Sequence, residues 1–63
     1  MTQKELAYLE DAIGHEQAMI KICNNTINNL KTKELKEFMQ EELINHEELY
    51  NDLIMYLEDK VNE

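Results

Sequence analysis

The sequence contains no proline, tryptophan or arginine, and it has one glycine, Gly14, and one cysteine, Cys23. Tight turns draw on glycine and proline, so their scarcity argues against a turn-rich β architecture. A lone cysteine cannot close an internal disulfide, and without a Cys-x-x-Cys pair neither a disulfide framework nor a zinc knuckle is available. Long apolar runs are also missing. Nothing approaches the roughly 20 consecutive apolar residues that span a bilayer, and the opening MTQKELAYLE has no apolar signal core. Positive charge is scarce as well: six Lys and Arg stand against 14 Asp and Glu, a formal net charge of −8. Such a surface repels phosphate backbones and anionic lipid and suits cations or basic partners. Neither nucleic acid nor a membrane is therefore an expected partner, and a cytoplasmic location is expected. No glycine-rich loop is present to cradle phosphate, no serine or cysteine nucleophile has a base partner, and no basic aromatic patch occurs. Hydrolase, nucleotide-binding and nucleic-acid functions lack support.

What remains is an amphipathic chain of 63 residues, 43 % apolar and 32 % charged, enough for a single domain, 1–63. Thr2-Gln3-Lys4-Glu5 has the spacing of a capping box, in which the threonine hydroxyl and the glutamate carboxylate satisfy free amides at a helix start. From there Leu6, Leu9, Ile13, Glu16, Ile20, Cys23, Ile27 and Leu30 recur at alternating steps of three and four, a heptad seam interrupted only by Glu16. Continued further, that seam would meet Glu34, Glu37, Glu41, Ile44, Glu48 and Asn51 and desolvate a row of like charges. The chain must therefore break. A second apolar stripe starts in a new phase with Leu35, Met39, Leu43, Leu49, Tyr50, Leu53 and Leu57. Between the two stripes, asparagines at 28 and 29 tolerate the left-handed conformation that ends helices, and Thr32 can cap the next one. The expected fold is all-α: an antiparallel hairpin of two helices, about 3–28 and 33–61, joined by a short turn.

Both apolar stripes are too wide for a single partner helix. Helix 2 adds Phe38 and Tyr56 on one flank, and helix 1 adds Tyr8, Ala12 and Met19. A second copy closing a four-helix bundle would cover both, so a homodimer or higher homo-oligomer is expected.

The stretch ELINHEEL, residues 42–49, places an acid and a histidine on the second stripe. At about 100° per residue, Glu42 lies roughly 40° from His46, and Glu16 lies among Leu9, Ile20, Cys23 and Ile27 on the first helix. Glu16, Glu42 and His46 are therefore expected inside. With the turn centred near Lys31, antiparallel levels pair residues whose numbers sum to about 62. Glu16 then faces His46, with Glu42 one turn nearer the loop. A short internal echo, Asp11 to Glu16 against Glu42 to Glu47, sets His15 opposite His46, but His15 falls at the edge of its helix face and is expected at the rim. Cys23 reads as a small buried apolar residue, and Met19, Met39 and Met55 as packing or surface residues.

The run AIGHEQAMIKICNNTINNLKTKELKEFMQEELINHEELYNDLIMYLEDK, about four fifths of the chain, resembles the ferritin-like proteins of the spore coat protein F family. The resemblance implies a ferritin-like four-helix bundle from a spore-forming bacterium, deposited in the spore coat in some members, with other coat proteins as partners. It also implies iron or manganese as a cofactor, because ferritin-like di-iron sites take a glutamate from one helix and a Glu-x-x-His pair from the next. Glu16 matches the first position. Glu42 and His46 depart from the second, since the spacing here is Glu-x-x-x-His. Three functions follow: a structural coat component whose interior acid and histidine fix the register, a di-metal protein using Glu16, Glu42 and His46 as ligands with metal oxidation as its chemistry, or an acidic module for a basic partner.

Overall fold

The structure, a computed structural model, describes residues 1–61. It consists of two helices, α1 (Gln3–Asn29) and α2 (Lys33–Val61), packed antiparallel against each other, with no strand among the described residues. The capping box forms as the sequence dictates: the Glu5 amide donates to Thr2 Oγ1 at 3.0 Å, and the Thr2 amide donates to Glu5 Oε1 at 2.8 Å. These backbone and side-chain bonds to Thr2 hold the Glu5 carboxyl below its ordinary value of 4.5, because they favour the ionised form.

The turn differs from expectation in its mechanism. The polar run at 24–29 stays helical to Asn29, whose side-chain amide folds back and donates to the Asn25 carbonyl at 2.8 Å. The helix then ends when Leu30 turns to extended backbone, its amide shared between the Thr26 and Ile27 carbonyls. No described residue other than glycine has a positive φ, so the left-handed ending expected of the asparagines is not used. On the far side of the turn, the Lys36 amide bonds the Thr32 carbonyl and closes the first turn of α2.

The seam residues of α1 all pack inward, buried or half-buried, and on α2 the inward row is Met39, Leu43, His46, Tyr50, Leu53 and Leu57. Leu35 and Leu49, placed on that stripe by their spacing, stand exposed instead: Leu49 lies to one flank, and Leu35 sits where α1 is about to end. The core is thin. Ile13, Glu16 and Cys23 are the buried residues among those described, all three on α1, and α2 buries none. The shape explains this. The hairpin measures 46 × 16 × 11 Å with a radius of gyration of 14.6 Å, against about 10.6 Å for a compact chain of this length.

Candidate functional site

Glu16 and His46 meet as the helix register dictates. Each lies at mid-height of its helix, on the inward face, and His46 Nδ1 donates to Glu16 Oε1. The carboxylate is the deeper partner: its side chain is 7 % exposed and that of the histidine 23 %. A carboxylate at that depth costs several kcal/mol without a partner, and the imidazole supplies one. No buried side-chain nitrogen or oxygen among the described residues is left without a hydrogen bond. A second inter-helix bond sits one turn away, from Gln17 Nε2 to the Tyr50 hydroxyl at 3.4 Å. Below the pair towards the loop, Cys23 fills the seam at 2 % exposure as a free thiol.

Glu42 is half-buried and turned to one flank of α2, about 40° from His46. It does not join the other two: no group of three or more His, Cys, Asp or Glu side chains among the described residues is arranged to hold a metal ion. Within one chain, the described residues therefore bring together two of the three expected ligands, Glu16 and His46, but not Glu42. His15 is exposed, at the rim as expected.

The most conspicuous surface feature is apolar. Tyr8, Leu35, Phe38, Leu49 and Tyr56 are between 46 % and 62 % exposed. Measured from the inward row of each helix, Tyr8 on α1 and Phe38, Leu49 and Tyr56 on α2 are rotated in the same sense by about 80–100°, with Leu35 rotated about 40°. In an antiparallel pair the same sense of rotation leads to the same side. All five therefore line one flank of the hairpin, together with the half-buried Met19 and Glu42. At its open end a shallow recess of about 320 Å³ lies between Met1, Glu5, Leu9, Tyr56 and Lys60, with the Lys60 ammonium 5.5 Å from the Tyr56 ring.

The area matches this picture. The hairpin exposes 5090 Å², whereas a compact monomer of 7.5 kDa exposes about 4,200 Å² on the usual size scaling. The excess, about 850 Å², is close to the roughly 800 Å² that each partner contributes to a standard protein interface. Sequence periodicity marked the flank residues as apolar; only the packing shows that they remain uncovered.

Compared with known proteins, the chain matches no family model, no curated protein and no solved structure. No helix among the described residues is long and apolar enough to cross a membrane.

Proposed function

We propose that this chain is a small acidic structural protein of the spore-coat type, a ferritin-like hairpin that reaches its working form when a second copy closes a four-helix bundle. One observation carries the reading: an apolar flank of Tyr8, Leu35, Phe38, Leu49 and Tyr56 on a hairpin whose excess surface is of the order of one side of a standard interface. The Glu16–His46 pair suits a structural role, because a satisfied polar pair in an otherwise apolar seam fixes which levels of the two helices meet. A one-turn slip would leave both groups unpartnered. The test is fractionation of sporulating cells with an antibody to the chain. The reading expects the protein in the extracted coat layer of mature spores, and a Phe38→Glu/Tyr56→Glu chain lost from it. Equal amounts in vegetative cells, or coat recovery indifferent to those substitutions, would overturn it.

A second reading, binding of iron or manganese, is favoured by the height of the polar pair. Because Glu16 and His46 lie midway along the hairpin, a two-fold partner brings its own pair to the same layer, and Glu42 leans towards the flank that partner covers. Two copies would then offer four glutamates and two histidines, the donor set of di-metal carboxylate bundles. Metal titration of the dimer separates the two readings, as set out in the Discussion.

A further inference from the structure

The side of the hairpin opposite the apolar flank carries both signs of charge in separate halves. We infer that it is a second contact surface, and that its occupant is another copy of this chain turned end for end. Measured from the inward row of each helix, Glu10 and Lys21 on α1 and Lys33, Lys36, Glu47 and Glu58 on α2 are rotated by about 60–120°, in the sense opposite to Tyr8 and Tyr56. Lys36 is half-buried and the other five side chains are exposed. Lys33 also lies 4.0 Å from Glu37, at the outer edge of this side.

The signs separate along the helices. From the level of the Glu16–His46 pair, Lys21, Lys36 and Lys33 stand about 8, 15 and 20 Å towards the turn, at about 1.5 Å per residue. Glu10 and Glu58 stand about 9 and 18 Å towards the open end, and Glu47 lies close to the level itself. A two-fold axis crossing the hairpin at that level sets α1 on the second copy's α1 and α2 on its α2, antiparallel. Lys21 then meets the second copy's Glu10 and Lys33 meets its Glu58, each within about 2 Å in height, and the symmetry repeats both pairs. Only the two Glu47 carboxylates, beside the axis, oppose the contact. An axis along the hairpin would instead lay lysines beside lysines at the turn and glutamates beside glutamates at the open end. A wholly basic or wholly acidic partner would be repelled over half its length, whereas an inverted copy presents the complementary sign at each level. Exposed ion pairs contribute little singly and weaken with salt, so this contact is weaker than the apolar one. At micromolar concentration the apolar dimer stands alone; at the density of a packed layer, contacts on opposite sides of each hairpin join dimers into rows. The rows rest on the dimer reading above; the charged contact does not.

The experiment starts from the unmodified protein. Equal amounts of ¹⁴N- and ¹⁵N-labelled chain are unfolded, refolded together, concentrated to millimolar, sized by light scattering and treated with a carbodiimide, which joins a lysine to a carboxylate only where the two touch. Particles larger than two chains are expected, with mixed-isotope peptides joining Lys21 to Glu10 and Lys33 to Glu58. Within one chain those residues lie about 17 and 38 Å apart along their helices, so only a neighbour can supply the links. Lys21→Glu/Lys33→Glu and Glu10→Lys/Glu58→Lys should each lose the larger particles alone, and an equal mixture of the two should regain them. If the less acidic second variant associates best by itself, net charge governs and the inference falls. Absence of both expected pairs, or links spread equally to the outward Glu34, Glu41 and Glu48, would also overturn it and leave the apolar dimer standing. Both pairs in a particle of only two chains would support the charged contact and overturn the apolar dimer.

Discussion

Replacing His46 by leucine strips the 7 % exposed Glu16 carboxylate of its imidazole partner, whereas replacing Glu16 leaves a histidine that is 23 % exposed and can turn to water. The two single substitutions should therefore be unequal. A buried donor or acceptor left unsatisfied costs about 1–3 kcal/mol, more when charged, and breaking a buried ion pair from one side costs about 3–5 kcal/mol. His46→Leu is accordingly expected to lose about 2–4 kcal/mol per chain. Glu16→Leu should lose less, since it also adds apolar volume beside Ile13, Ile20 and Cys23 in the seam. The double variant Glu16→Leu/His46→Leu should return to wild-type stability or exceed it, because apolar groups of similar size replace both partners and no desolvated charge remains. Urea unfolding followed by circular dichroism at 222 nm, at matched protein concentrations, gives the four corners of the cycle. In a chain this size about 1 kcal/mol moves Tm by about 4–8 °C, so the differences are measurable by melting as well. Additive single effects, with a coupling below about 0.5 kcal/mol, would refute the pairing.

Gly14→Ala should stabilise the protein by about 0.5–1 kcal/mol: a Cβ there meets nothing within 4 Å, and alanine removes the conformational freedom that glycine brings to the middle of a helix. Thr2→Ala should cost about 1 kcal/mol by breaking the capping box. It should also flatten acid sensitivity, because a carboxyl held below 4.5 in the fold adds stability above that pH and loses it as pH falls through the lowered value; acid titration of both proteins by circular dichroism checks this. If two copies associate through the flank as proposed, Phe38→Glu/Tyr56→Glu should elute as a monomer on a sizing column, while Ile44→Glu/Met55→Glu, equally exposed residues on the outer side of α2, should elute as a dimer. If the dimer binds metal, Fe(II), Mn(II) or Zn(II) added to apo-protein raises Tm saturably near one or two ions per dimer, and the rise disappears in Glu16→Leu and in His46→Leu. No gain with any of the three eliminates that reading.

Much of this was legible from spacing alone. The change of phase between Leu30 and Leu35 located the turn, the Thr2–Glu5 spacing located the first helix start, and a rise of about 1.5 Å per residue paired Glu16 with His46. These features obey one-dimensional rules, so a sequence carries them. How α1 ends did not follow those rules: asparagine permits a left-handed cap without requiring one, and the chain instead leaves through an extended Leu30. Nor does periodicity distinguish a residue that faces its own hairpin from one that faces a neighbour. Leu49 shares the apolar pattern of Leu53 yet stands on the flank, about 40° away from it around the helix. Glu42 lies about 40° from His46 by spacing, and the structure leaves it half-buried and outside the Glu16–His46 pair.

Sedimentation equilibrium of the unmodified chain at micromolar concentration tests the central claim most directly. A bundle closed by two hairpins predicts a mass of about twice the 7.5 kDa chain, and a melting temperature that climbs with protein concentration because folding and association are linked. A 7.5 kDa particle with full helicity and a cooperative, concentration-independent melt would contradict it, and would mean that the flank of Tyr8, Leu35, Phe38, Leu49 and Tyr56 serves something other than a second copy.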